Sequence, residues 1–204
     1  MKTLAKLLGT IAVAASLTPA AQAANLVANG SFEQGLLGIG SFDGWTTVLG
    51  DATTFVDSSG QTGPHYGQAS DGLWAAYFGS TQADGGATIS QVLATTAGQR
   101  YLLSFDVAND NGGLDPSNAL DVSIGGTPVF AASDLADQDY VHETITFVAG
   151  GPTTLSLFAF NDQSYLELDN IAVTALPVPE PGNLQLLLAG LLTTGLALRR
   201  RARG

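Results

Sequence analysis

The chain has 204 residues, no cysteine, 25 glycines and a formal net charge of −11. Without thiols, thiolate zinc sites, iron–sulfur clusters and cysteine catalysis are closed to it. All 18 Asp and Glu except Glu180 lie between residues 24 and 176, where Arg100 is the only Lys or Arg, so nucleic acid, whose phosphates are met by Lys and Arg, is excluded as a partner.

The chain opens on Met1-Lys2-Thr3-Leu4-Ala5-Lys6, which carries two positive charges, followed by an apolar run from Leu7 to Leu17. Pro19 ends any helix, and Ala21-Gln22-Ala23 fits the A-x-A pattern cut by signal peptidase. The apolar run falls short of the roughly 20 residues a membrane span needs. Residues 1–23 therefore read as a secretory signal cut after Ala23, and residues 24–176 as one domain large enough for a core of its own.

Within that domain Val, Ile, Thr, Phe and Tyr come in short runs separated by Asn, Asp, Gly and Ser, the pattern of strands joined by turns. Strands are expected near Leu26–Val27, Trp45–Val48, Leu73–Phe78, Ala87–Leu93, Arg100–Val107, Ala119–Ile124, Thr127–Phe130, Tyr140–Phe147, Thr153–Phe160 and Leu166–Val173. Tyr101, Leu103, Phe105 and Val107 alternate with Leu102, Ser104 and Asp106, so one face of that strand is buried and the other mostly wet. Leu120, Val122 and Ile124 alternate in the same way, and Gly125-Gly126 then supplies the positive φ of a tight hairpin. Strands without helices predict an all-β, antiparallel two-sheet jelly-roll sandwich.

The 106–115 segment, DVANDNGGLD, is rich in oxygen ligands but fails the D-x-[DN]-x-[DN]-G spacing of a calcium loop, and reads as a turn-rich connection. In the last strand Leu166 and Leu168 share one parity, Ile171 and Val173 the other. A β-bulge between Asp169 and Asn170 would produce that change of phase, and bulges re-aim side chains near sites. Trp45, Trp74, Tyr66, Tyr77 and Tyr165 are the candidate platforms for a sugar ring, with Trp45 in Gly-Trp read as core and Trp74, Tyr77 and Tyr66 foremost, although parity alone leaves open which of Trp74 and Tyr77 faces the core. No nucleophile motif surrounds His65 or His142, so catalysis is not expected.

Past the domain, Pro179-Glu180-Pro181 precedes an uncharged apolar segment, 184–198, and an Arg-rich end, 199–204. Fifteen helical residues rise about 22 Å, less than the roughly 30 Å of hydrocarbon, and the basic end stays cytoplasmic. Together, residues 177–204 resemble a PEP-CTERM sorting signal. The resemblance implies transient contact with the inner membrane, recognition by an exosortase, and release to the surface or exopolysaccharide matrix of a Gram-negative bacterium.

Asn25-Leu26-Val27-Ala28-Asn29-Gly30-Ser31-Phe32-Glu33 with Gly44-Trp45, and Leu166-Glu167-Leu168-Asp169-Asn170-Ile171 at the other end, are similar to the two ends of galactose-binding-like jelly rolls, the fold of many carbohydrate-binding modules. The resemblance implies a structural calcium held by Glu33, Asp169 and the Ser31 carbonyl, which suits an ion taking six to eight oxygens. The residues by themselves fit surface carboxylates closing turns equally well. The expected function is a non-catalytic glycan-binding or matrix module for neutral polysaccharide. The alternatives are a purely structural acidic surface protein and a glycoside hydrolase, which would need two close, tuned carboxylates.

Overall fold

The computed structural model describes residues 24–35, 38–39, 42–58 and 69–177. Ala21 and Ala23, Tyr66, Pro179-Glu180-Pro181, the apolar 184–198 segment and the basic end lie outside the described residues.

Among the described residues every regular element is a strand: β1 (Gly38–Ile39), β2 (Thr46–Leu49), β3 (Thr54–Ser58), β4 (Trp74–Phe78), β5 (Ala87–Leu93), β6 (Arg100–Asp110), β7 (Asn118–Ile124), β8 (Thr127–Ser133), β9 (Gln138–Val148), β10 (Thr153–Asn161) and β11 (Tyr165–Ala175). They form two antiparallel sheets, β1-β3-β4-β11-β6-β9 and β2-β5-β10-β7-β8, packed as the sandwich expected from the pattern. β1 and β3 were not foreseen. β3 is five residues long and only Thr54 and Val56 face the core, too short a run to stand out among turn formers. Leu26–Val27 is no strand. The N-terminal segment instead makes a single bridge, Asn25 to Thr174.

The core follows the alternation. Leu103, Phe105, Val107, Leu166 and Leu168 point inward from one sheet, and Ile89, Leu93, Leu120, Val122, Leu155 and Leu157 from the other, all buried. Gly125 and Gly126 turn the β7–β8 hairpin at φ values of 58° and 79°. The bulge in β11 is present: its register against β6 shifts between Asp169 and Ala172, and Asn170 sits at φ 50°. Asparagine tolerates this left-handed conformation better than most residues. Inward parity passes there from Leu168 to Ile171 and Val173.

The segment from Asn25 to Trp45 plugs the gap beside the bulge. Asn25 Oδ1 accepts from Val27 N and Val173 N, and Gly30 O accepts from Ile171 N at 3.0 Å. Phe32, at φ 56°, accepts a backbone conformation costly for a bulky residue; its buried ring stacks on Trp45 and meets Phe42 edge-on. Trp45 Nε1 donates to Asn29 O, and Gln91 of β5 holds Ala28 at both backbone groups and Gly44 O as well. The Asn-Gly-Ser-Phe-Glu and Gly-Trp motifs are therefore a buckle between the sheets.

Acidic residues are polarised along the sandwich. The connections at one end, 50–53, 79–86, 111–117, 134–137 and 162–164, carry Asp51, Asp84, Asp115, Asp134, Asp137 and Asp162. At the opposite end the 94–99, 125–126 and 149–152 connections hold no acid, and the chain enters and leaves there, with Leu26 N bonded to Val173 O and Leu176 N to Arg100 O. The acidic end is stitched by buried amides. Leu135 N donates to Asn118 Oδ1, and Gln163 N and Ser164 N donate to Asn161 Oδ1, which fixes both amide groups; their nitrogens then donate to Asn111 and Asn109.

A Cβ at Gly30 would lie 1.9 Å from Ile171 O. Gly30→Ala should therefore lose at least about 1–3 kcal/mol in urea unfolding, the range of an overpacked core. Gly150→Ala, where nothing lies within 4 Å, should stay near the parent value. Equal stability of the two variants would remove Gly30 from its place in the buckle.

Candidate functional site

Alternation with inward Leu166 and Leu168 puts Asp169 on the outer face of the six-stranded sheet, directly across from Asp106 of β6 and just before the bulge. The segment 70–74 crosses above them. Ser70 Oγ lies 2.6 Å from Asp106 Oδ2 and 3.1 Å from Asp169 Oδ2, and Asp71 N donates to Asp169 Oδ2 at 2.9 Å. Asn170 Nδ2 donates to Asp106, and His142 Nδ1 of β9 lies 2.5 Å from Asp106 Oδ1. From the other side Glu33 Oε1 accepts from Leu73 N and Trp74 N, and Ser31 Oγ donates to Asp71 Oδ2 at 2.7 Å. Gly72 allows this, because a Cβ there would lie 2.3 Å from Glu33 Oε1.

Glu33 and Asp169, two of the expected ligands, thus meet around one five-residue segment, which Ser31 reaches through its hydroxyl and not the expected carbonyl. Their donor set is hard oxygen, the kind calcium takes. As placed, the carboxylates close on the segment rather than on one another, and among the described residues no group of three or more His, Asp or Glu is gathered to hold an ion. Asp169 is fully buried, and burial raises its carboxyl to about 6 despite the N–H groups of Asp71 and Asn170 and the Ser70 contact. In Asp106 burial also works against ionisation, but the bonds from Ser70, His142 and Asn170 outweigh it and hold the carboxyl below the usual range.

Farther along the same face Tyr77 stacks on Phe55, Tyr165 meets both edge-on, and Tyr140 Oη donates to Glu167 Oε2. Burial and the nearby Glu167 charge push the Tyr77 and Tyr140 phenols well above their ordinary value. Around β4 and β11 this face is dry, with Tyr77 5% exposed and Glu167 1%, while the outward β9 residues at its edge, His142, Thr144, Thr146 and Val148, are open. Tyr77 therefore lies inside an aromatic cluster, and Trp74, of opposite parity, packs against the core.

The open surface is on the other sheet. Pairing sets Thr46, Ser90, Ser156 and Ser123 side by side across β2, β5, β10 and β7. The next row reads Val48, Thr88, Phe158 and Asp121. Val48 and Val92 are 71% and 73% exposed, and Asp121 is the only charge in either row. The half-buried Phe158 ring lies over Gly86, where a Cβ would come within 2.6 Å of it. Phe158 was not among the sequence candidates. The signal was present in Thr154, Ser156 and Phe158, which alternate with buried Leu155, Leu157 and Ala159.

No protein-family model matches the sequence, and no curated protein is a detectable relative. Solved structures are similar in fold. A CBM61 module in complex with β-1,4-galactotriose superposes with a TM-score of 0.55 at 17% identity, covering 75% of this chain and 99% of the module. The CBM22-1 xylan-binding domain of Paenibacillus barcinonensis Xyn10C gives 0.50 at 19%, covering 78% and 99%. The K2 cleaved adhesin domain of Lys-gingipain gives 0.51 at 18%, covering 73% and 97%. At these identities the likeness is one of fold: the jelly-roll sandwich of carbohydrate-binding modules.

The raised Asp169 carboxyl makes stability depend on pH in chelator. Between about 4 and about 6 the folded protein keeps a proton that the unfolded chain has lost, so stability should fall as pH rises through that window and level off above it. Asp106 acts oppositely, its contribution being lost as pH falls below the ordinary carboxylate value. Asp169→Asn should remove the fall, on the order of 1–3 kcal/mol, in urea titrations at pH 4 to 7; an unchanged slope would place the titration elsewhere.

Proposed function

We propose that the chain is an exported, non-catalytic module that lays an uncharged polysaccharide on the open face of its five-stranded sheet. One observation carries this reading: a domain dense in carboxylates keeps the outer face of its five-stranded sheet almost free of charge, lined with hydroxyls and one aromatic ring. Hydroxyl side chains donate to and accept from sugar hydroxyls. Phe158 offers a flat apolar surface to the C–H face of a pyranose. With Arg100 as the only Lys or Arg in residues 24–176, nothing is placed to pair with uronate or sulfate. The fold shared with modules whose ligands are galactotriose and xylan supports the reading.

Export follows from the leader at residues 1–23, and sorting by an exosortase to the surface or matrix from the Pro179-Glu180-Pro181 tail. Calcium held by Glu33, Asp169 and the Ser31 carbonyl would neutralise the buried Asp169 and stiffen segment 70–74. The close pair Asp106 and Asp169, one carboxyl raised and one lowered, has the electronic pattern of a hydrolase. Asp169, however, is fully buried and both carboxylates are bound to Ser70, so the pair tethers a loop where no substrate reaches.

Affinity electrophoresis against soluble xylan, β-1,4-galactan and polygalacturonate tests the face. Retardation is expected on at least one neutral polymer and none on the anionic one. Phe158→Ala should weaken binding about tenfold, the worth of one ring contact, in protein whose β-sheet circular dichroism matches the parent. Migration unaffected by every neutral polymer would sink the glycan reading in favour of a purely structural acidic protein. Separately, millimolar calcium should raise the melting temperature by several degrees over chelator, and Asp169→Asn should abolish that rise; a rise that survives the substitution would move the ion to another site.

A further inference from the structure

The edges of the two sheets are not equivalent. β1 has two residues, β2 has four, and β8 carries Pro128 and a register shift against β7. β9 has 11 residues and no proline, its register shift against β6 and Asp139 fall near its start, its later part carries Glu143 as the one carboxylate, and among the described residues it is hydrogen-bonded to a strand on one side only, β6. A long unpaired edge is a template for another strand unless charge, proline or twist blunts it. We infer that β9 pairs antiparallel with β9 of a second copy about a two-fold axis through Thr144, joining two six-stranded sheets into one.

Charge selects the occupant's orientation. The Asp-bearing connections cluster at the end where β9 begins, while the end where it finishes has none in its loops. Antiparallel pairing carries the two acidic ends to opposite extremities, whereas a parallel pair would set them side by side. Charge and side-chain pairing also select the register. A two-fold axis perpendicular to the sheet keeps outer residues opposite outer residues. Of the registers that leave most of the strand paired, the one centred on Glu143 opposes two carboxylates, and the one centred on His142 opposes two imidazoles. Centring on Thr144 opposes two hydroxyls, sets His142 against Thr146 and Glu143 against Ile145, and leaves no like charges face to face.

The geometry has two consequences. Residues 175–177 lie at the acid-free end of each copy, so those of the two copies sit at opposite extremities of the pair. Both five-stranded faces point the same way. On the glycan reading this doubles the contacts with one polymer, a gain in avidity without new chemistry.

The absence of cysteine makes the register directly readable. In the full chain, Thr144→Cys lies opposite itself across the axis, within disulfide reach for paired strands. Mild oxidation should convert most of it to a covalent dimer, while Thr146→Cys, which faces His142, should cross-link several-fold less. Thr144→Glu opposes two new carboxylates at an exposed position and should weaken association at least tenfold by light scattering, with the melting temperature unchanged. Equal cross-linking at both positions, or a Thr144→Glu protein of undiminished mass, would overturn the pairing. Because these measurements involve no sugar, they stand or fall apart from the glycan reading.

Discussion

The bulge in β11 is a local irregularity with consequences across the molecule. By advancing the inward parity from Leu168 to Ile171, it lets one strand serve two packing schemes. The β4-side half is paired conventionally, and the later half is met by the N-terminal segment. Asn170 absorbs the left-handed turn, Gly30 comes close enough to bond Ile171, and Asp169, the last residue in regular register, faces Asp106 at the edge of the kink. The backbone strain at Asn170 and Phe32 persists because the surroundings overdetermine it: Phe32 is wedged between Phe42 and Trp45, and Asn170 is bonded to Asp106.

Burying Asp106 and Asp169 in a domain so short of cations looks wasteful until the segment above them is considered. Removing one member of such a network leaves the rest unsatisfied, so the two carboxylates, with Glu33 and Ser31, hold segment 70–74 in a single path into β4. The division between them is electrostatic. Asp106, next to His142, is the ionised partner. Asp169, which accepts from Ser70 and from the N–H groups of Asp71 and Asn170, is the one whose carboxyl burial raises.

Periodicity made the sandwich legible, and the change of phase in Leu166–Val173 located the bulge. Those are backbone-level signals, since core burial imposes them on the sequence. The motif ends around Glu33 and Asp169 were legible as a pair, and the fold brings both to one segment. What stayed hidden depends on side-chain contacts between distant strands. Nothing in Arg100–Val107 distinguishes Asp106 from a wet-face residue until His142, 36 positions on, lies across from it. Trp74 and Tyr77 were ambiguous because four consecutive residues of β4, Ala75–Phe78, are buried, so alternation gives no contrast there. Phe158 was overlooked because an outward ring is indistinguishable by composition from a core ring. Only the register with Thr88 and Asp121 exposes its neighbours.

The two outer faces show how one sandwich can divide its labour. Aromatic and acidic residues on the six-stranded face are spent internally, in the Phe55–Tyr77–Tyr165 cluster, the Tyr140–Glu167 bond and the tether of segment 70–74. A face so consumed has little left to offer a ligand. The five-stranded face has the opposite economy: its inward residues fill the core, while its outward rows are small hydroxyls and valines that need no partner within the chain. Val48, across from Thr88, and Val92, four residues farther along β5, stand on this face as separate exposed apolar side chains. In so acidic a domain, the partner least opposed by the surrounding field is one without charge.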